Sequence, residues 1–495
     1  MSDAQRTYLF TDFRHIRCGD VVWRDPGGEK LGSPPAPPFR RLVPEARFLP
    51  WGVRLQAQPA EQLGPDDGLV NFGGTVVREE GGYRSWKLVT PEGPETLGGV
   101  SIVCRESDDG FAWRTAAECP IDTGGQFKLM GSGFFRDDHG PPAERYKTVW
   151  TARAPREQWE AIYREYCTVH PRYRDWRIHP ARKVMCVYGA VSPDGLAWTA
   201  LPEPLLIHMS DTDSAIYFDE RLGRYVFYTR WYNDERRSVG RTESDDFRHW
   251  DPVMPCLEVP LDNPTVDIYT NGRTSYPGLP DYHLMFPMFY ERWTQESDIR
   301  LYSSTDGIIW KEVPGGPVIR PGQAGTWDGY FLYSSRNLVE LPQGRIGVPY
   351  AGTRYPHKYP RWPEVVDDIR SGWAVWPRDR LSALVADRQG EVFTFPMRPA
   401  GRELRLNVRT GEAGEVRVGL LRAEGQIADG TDRLPDREAV PVDGRGVDDC
   451  VRISGDHPSA VVRWRTGTDL GVGPDDSVML HVTLRAAELF AFEWV

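Results

Sequence analysis

Three aspartates hold matching places in this 495-residue chain: Asp213 in SDTDSAIYFD, Asp267 in VDIYTNG and Asp328 in TWDGYFLYSS. Each stands at the head of a run of aromatic and β-branched residues, which reads as a strand. Carboxylates held close together cannot all ionise cheaply. One pKa rises while another stays low, so one residue type supplies both a general acid and a general base or nucleophile. That is the requirement for cleaving a glycosidic bond through an oxocarbenium-like transition state. Glu291, in YERWTQES, is a further candidate acid, with Glu296 beside it. Groups suited to holding a substrate surround these acids. Asp211 is a candidate for binding substrate, Arg230, Arg237 and Arg241 could orient a hydroxyl or carboxylate, and Tyr269, Asn271 and Trp327 could stack on or bond to a ring. Arginines beside acids also suit simple pairing, and His139 in DDHGPP reads as a turn residue.

Remote acids meet only if the fold gathers them, and a repeated phrase says how. Ser107–Trp113 (SDDGFAW), Ser192–Trp198 (SPDGLAW), Ser244–Trp250 (SDDFRHW) and Ser304–Trp310 (STDGIIW) each follow a β-rich run. Each reads as strand, tight turn, then a tryptophan opening the next strand. Aspartate bonds its own backbone in such a turn, and glycine supplies positive φ without steric cost. A hairpin repeated every few tens of residues marks a radial repeat fold, above all a β-propeller. In that fold the first strand of every blade reaches one axis. The expectation is an all-β chain, a five-bladed β-propeller with a C-terminal β-sandwich. Asp109, Asp194, Asp246 and Asp306 belong to the repeated turns and read as folding residues, outside the site.

The pieces fall in order. Residues 1–68, with the Pro-rich run PPAPPF, read as a segment wrapping the body. Residues 69–381 hold five repeat units, the last with a decayed turn. An insertion after Pro155 places Trp159, Ile162, Tyr163 and Tyr166 at helical spacing, which predicts a helix, either packed on the propeller side or set as a lid near the pocket. From residue 382 to 495, segments such as EVRVGLL and SVMLHVTL alternate apolar and polar with period two, as half-buried antiparallel strands do.

Composition removes other classes. A net charge of −11 opposes a nucleic-acid or anionic-membrane partner. No apolar stretch nears a bilayer span, and MSDAQRTYLFTDF lacks the basic-then-apolar pattern of a secretory signal. Seven cysteines scattered from Cys18 to Cys450 without ligand spacing read as reduced thiols. A cytoplasmic protein is expected, with no cofactor, no metal and a small-molecule saccharide or glycoside as partner. G-x-S-x-G, the phosphate-binding G-x-x-x-x-G-K-[ST], H-E-x-x-H and C-x-x-C are all absent.

The runs YGAVSPDGLAW, SDTDSAIYFDERLGRYVFYTR, RRSVGRTESDDFRHW, DIYTNG and LMFPMFY, with SGFFRDDHGPPAERYKTVW and ELFAFEWV, resemble bacterial proteins akin to the family 32 and family 43 glycoside hydrolases. These belong to the five-bladed propeller superfamily of arabinanases, xylosidases, invertases and levansucrases. The resemblance covers most of the chain from about Gly131. It implies a pocket with a base or nucleophile aspartate, an auxiliary aspartate and an acid glutamate. Asp213, Asp267 and Asp328 are carried over by strand position, and Asn71 stands where those enzymes place the first aspartate. Three functions follow as expectations: a glycoside hydrolase-like enzyme, a biosynthetic cyclase, lyase or isomerase reusing the pocket, or a non-catalytic carbohydrate-binding protein.

Overall fold

Strand follows strand through the chain, broken by one α-helix among the described residues, Trp159–Val169. The protein is all-β. The computed structural model describes residues 6–17, 52–66, 69, 75–89, 100–169, 185–233, 236–259, 263–357, 369–423, 439–473 and 475–495. The chain divides into two units: Pro59–Glu312 with Gly316–Trp376, and Met1–Gln58 with Val313–Gly315 and Pro377–Val495. The segment expected to wrap the body, 1–68, is therefore shared between them.

In the larger unit the strands form successive antiparallel sheets. The first is Thr75–Glu79, Gly82–Val89, Val100–Ser107 and Arg114–Ile121. The second is Phe127–Arg136, Tyr146–Arg153, Met185–Ser192 and Thr199–Ala200. The third is Ala215–Asp219, Arg224–Asn233, Arg236–Ser244 and Met254–Leu257.

The fourth layer is split in mid-strand. Val266–Thr270 pairs with Met288–Glu291, while Arg273–Tyr276 pairs with Leu279–Met285. The sequence explains the break. Gly272 takes φ +54°, Phe286 N donates to Gly272 O at 3.0 Å, and Pro287 has no N–H to offer the ladder. The fifth sheet is built on Arg345–Thr353, which pairs with both Phe331–Ser334 and Val339–Leu341. Arg336 and Asn337 form the bulge between those two, with Asn337 at φ +67°. Arg370–Pro377 follows, and its outer neighbour is Glu61–Leu63 from far back in the chain.

Hydrophobic cores join each sheet to the next. Trp86, Phe134, Trp150 and Trp198 join the first and second, and Phe135, Ile216, Phe227 and Phe247 the second and third. Val226, Tyr228, Ile268 and Phe289 join the third and fourth. Tyr269 and Tyr290 meet Phe331 edge-on at 5.9 and 5.4 Å between the fourth and fifth. Val76 and Tyr83 of the first sheet pack with Val339 and Trp373 of the fifth.

The four repeated turns share one geometry, each joining a third strand to a fourth. The serine hydroxyl accepts from the N–H three residues on, at 2.8–2.9 Å. The aspartate Oδ1 accepts from the N–H groups two and three residues on, at 2.8–3.0 Å. The tryptophan indole then closes the loop onto a backbone carbonyl. In three cases a neighbouring sheet bonds to the same turn: Trp86 to Gly195 O at 2.7 Å, Trp373 to Gly110 O at 3.0 Å and Tyr228 to Gly307 O at 2.5 Å. The fourth turn carries Phe247 in place of glycine, at φ +67°. Its ring is buried beside Phe135 and Tyr225 instead.

The helix is preceded by a 3₁₀ turn, Arg156–Gln158, with Pro155 just ahead of it. Trp159 Nε1 donates to Ala154 O at 2.6 Å, and Ile162 joins the core of the first two sheets. The side chains of Tyr163 and Tyr166 lie outside the described residues.

The smaller unit is a seven-stranded antiparallel sheet. Its longest members, Leu404–Ala423 and Val478–Trp494, pair through register shifts at Asn407/Val408 and Thr410/Glu415. Where two sheets are expected from the sequence, hydrogen bonds link all seven strands as one. Thr7–Leu9 pairs with Val478–Trp494, and Tyr8 stacks on Phe492 at 4.5 Å.

Candidate functional site

The starts of the first strands in the third, fourth and fifth sheets bring acids, arginines and rings together. Asp267 sits at 0 % exposure on Val266–Thr270. Arg292 grips it with two bonds, Nε to Oδ2 at 2.9 Å and Nη2 to Oδ1 at 2.7 Å. Arg237 adds its backbone N–H at 2.9 Å and Nη1 at 2.7 Å. Burial alone would raise this carboxyl, but the bonds from Arg292 and Arg237 outweigh it and hold it below the ordinary value. Asp267 is thus a fixed anion that orients two guanidinium groups, and it has no proton to give.

Asp211 is the open acid of the cluster, with 37 % of its side chain exposed. It pairs with buried Arg230 and accepts from the Tyr232 hydroxyl at 3.3 Å. Burial pushes its pKa up, Arg230 and then Arg237 pull it down, and the net shift is downward. Arg230 also donates to Tyr269 O at 2.5 Å. The Tyr269 ring lies between the two arginines, with Arg230 at 4.7 Å and Arg237 at 5.0 Å from its centroid. Its hydroxyl meets His357 Nε2 at 2.9 Å, and Tyr333 reaches His357 Nδ1 at 3.3 Å. Phe331 stacks on that imidazole at 4.4 Å. Burial raises the Tyr269 pKa against the pull of Arg230 and Arg237, so the phenol keeps its proton.

Asp211, Arg230, Arg237, Asp267 and Tyr269 therefore meet. Asp213 follows Asp211 by two residues, is 3 % exposed and has Arg336 as an electrostatic neighbour. Asn271 is spent on the backbone: its Oδ1 accepts from Arg273 N at 3.0 Å and its Nδ2 reaches Asp213 O at 3.5 Å.

Three further nominated residues do not join the cluster. Asp328 turns across its own sheet, where Tyr350 donates at 2.7 Å, Gln62 at 3.0 Å and Thr326 at 2.9 Å. These donors make it a structural acceptor spanning three chain segments. Glu291 accepts from Thr265 Oγ1 on the neighbouring strand's approach at 2.9 Å and from Trp293 N in its own turn at 3.0 Å. Trp327 tilts against Tyr350 at 5.2 Å and packs where an added Cβ on Gly372 would come within 2.7 Å of its ring. Asn71 lies outside the described residues.

The sequence reading passed over Tyr232, Arg292, Tyr333 and His357. Strand periodicity contains part of the missing signal, since Tyr232 follows Arg230 by two residues and shares its face. Arg292 adjoins the nominated Glu291. His357, beyond Arg345–Thr353, carries no local mark. One more feature belongs here: Trp293, beside Arg292 in the same turn, is 86 % exposed.

No protein-family model matches the chain. No curated protein matches it. Among solved structures, one described as a glycoside hydrolase is 15 % identical, with a TM-score of 0.44 over 66 % of this chain and 94 % of that one. An N-acetylgalactosamine deacetylase from F. plautii, in complex with blood group B trisaccharide, is 14 % identical, with a TM-score of 0.43 over 67 % and 97 %. A β-fructofuranosidase from Schwanniomyces occidentalis, complexed with fructosyl-erythritol, is 10 % identical, with a TM-score of 0.42 over 88 % and 97 %. Likeness at this level leaves the chemistry to be argued from the residues.

Proposed function

We propose that the larger unit is a five-bladed β-propeller and that its strand starts form the site of a glycoside hydrolase-like enzyme acting on a small saccharide or glycoside. The ring reading is supported by the chain of inter-sheet cores, the last of which packs the fifth sheet on the first. In the smaller unit, the register shifts of the long strands suit a sheet folded over into a sandwich.

One observation carries the functional reading. A solvent-open, ionised Asp211 stands in a wall of fixed guanidinium groups and tyrosines drawn from separate sheets. Such a wall offers directed donors to sugar hydroxyls, and its rings offer apolar faces to a pyranose or furanose. Asp211, held ionised by Arg230, suits the base or nucleophile. His357, which shares a hydrogen bond with the Tyr269 hydroxyl at 2.9 Å, is the group suited to pass a proton to the departing oxygen. Asp267 sets the positions of Arg237 and Arg292.

A second reading, saccharide binding without turnover, is favoured by the engagement of Asp267, Asp328 and Glu291 in structural bonds. The discriminating experiment is a panel of aryl glycosides and small oligosaccharides, scored for both release and binding. Release that D211N abolishes supports the enzyme. Saturable binding without release supports the binding protein. A panel that neither binds nor turns over sinks both.

A further inference from the structure

The same first strands that open at the candidate site close, at their other ends, around a second cavity of about 310 Å³. All five layers line it, through Arg78, Phe134, Tyr217, Arg273, Tyr276 and Arg336. Its charge is one-sided: three arginines line it, and among its described lining residues there is no aspartate or glutamate. Arg78 is half-exposed and paired with Glu340 at 2.6 Å, so it contributes little net charge. The other two are buried, Arg273 at 5 % and Arg336 at 4 % exposure.

Arg273 has spent few of its donors. Its Nη2 meets His283 Nδ1 at 2.9 Å, and since a guanidinium only donates, that imidazole nitrogen is an unprotonated acceptor and brings no negative charge. Its guanidinium lies 3.3 Å from the Tyr217 ring centroid, a contact that fixes its plane. Its Nε is buried without a hydrogen-bond partner, and no described carboxylate lies within ion-pairing distance of it. Burial pushes the Arg336 pKa down to about 10 against the pull of Asp213, so it stays charged at neutral pH. Arg273 directly follows the backbone break at Asn271–Gly272, and Arg336 lies within the one between Ser334 and Val339, the two places where the fourth and fifth layers interrupt their strands.

We propose that this cavity is an anion site for a tetrahedral oxyanion, either a free phosphate-type ion or the phosphate of a small metabolite. Two buried planar forks on neighbouring layers present the geometry that binds such oxygens in pairs, and the bound charge would offset what the fold leaves unbalanced. The site is separate from the strand-start cluster, and its test uses no saccharide substrate, so either proposal can fail alone.

The test is titration calorimetry of the whole chain with inorganic phosphate and with glycerol 3-phosphate. Saturable binding of either probe is expected, and the tighter of the two identifies the source. R273Q should weaken it at least about 10-fold, as expected for loss of a charge-assisted bond. R78Q, at the exposed rim, should fold normally and weaken it only about threefold. Tungstate soaked into wild-type crystals should give an anomalous peak between Arg273 and Arg336. No saturable binding of either probe, affinity that survives a folded R273Q, or a tungstate peak confined to other surfaces would each overturn the assignment.

Discussion

At the ends of third strands in four sheets, Asp109, Asp194, Asp246 and Asp306 repeat one set of bonds; at the heads of first strands, Asp211, Asp213, Asp267 and Asp328 share none. The turn aspartates all accept from backbone two and three residues ahead, so their partners are local and fixed by the motif. Asp211, Asp267 and Asp328 take partners from other strands, and each partner set differs. Uniform bonding follows from a repeated folding requirement. Divergent bonding, at equivalent positions of a repeat, is what remains where sequence answers to something other than the repeat. Among the divergent four, only Asp211 is partly open to solvent, and that singles it out for chemistry.

The comparison breaks first at Asp267. Replacing it by alanine removes a fully buried anion and the four hydrogen bonds that Arg237 and Arg292 make to it, and a loss of about 3–5 kcal/mol is expected from urea unfolding. A loss below about 1 kcal/mol would mean the pair is not structural, and Asp267 would return as a catalytic candidate. Phe247→Gly is next. Glycine relieves the positive φ by about 1 kcal/mol, but removal of a fully buried ring forfeits about 3–5 kcal/mol. Net destabilisation of about 2–4 kcal/mol is expected; a gain in melting temperature would show that strain, not packing, governs this turn.

Asp306→Ala should cost about 1–3 kcal/mol, the worth of hydrogen bonds to a charged acceptor, and the same change at Asp194 should match it. The pH profile sharpens the point. Backbone bonds from Ala112 and Phe111 lower Asp109, and those from Ala197 and Leu196 lower Asp194. Burial opposes the same effect at Asp306 and Asp246 without reversing it. Each carboxyl therefore titrates lower in the fold than in the open chain. Its contribution is complete above the unfolded value of about 4 and fades as pH falls through the folded value. The urea midpoint should drop steeply below pH about 4, and less steeply in a double Asp194→Ala, Asp306→Ala variant. Equal slopes would contradict the shared geometry. The smallest effect on stability belongs to Trp293→Ala, under about 0.5 kcal/mol for so exposed a side chain. Its effect on saccharide affinity should be larger, about fivefold, if the ring stacks on a sugar; unchanged affinity removes Trp293 from the site.

The turns were readable because their chemistry is local: Ser, Asp, Gly and Trp at fixed spacing dictate bonds within seven residues. The heads of the first strands were readable as places, since an acid before a β run recurs. Their partners were not. Arg292 grips Asp267 across a sheet, and Gln62 reaches Asp328 across 266 residues of chain. Neither pairing leaves a periodic trace. The direction of Asp328 depends on Tyr350, and the rank of Asp211 over Asp213 depends on exposure, which spacing does not encode. The buried arginines Arg273 and Arg336 stayed hidden for a related reason: each follows a local break in an otherwise regular strand, where period-two counting loses its phase.

The pairing of Glu61–Leu63 with Arg370–Pro377, and of Thr7–Leu9 with Val478–Trp494, has a consequence for biosynthesis. Residues 7–9 and 61–63 wait for partners translated hundreds of codons later. Middle layers can condense while the ribosome still works, but Glu61–Leu63 lacks its neighbour until residue 376 has emerged, and the smaller unit stays incomplete until Val478–Trp494 has emerged. During that interval, hydrogen-bonding edges stand open, and this is the stage at which a nascent-chain chaperone has the most to shield.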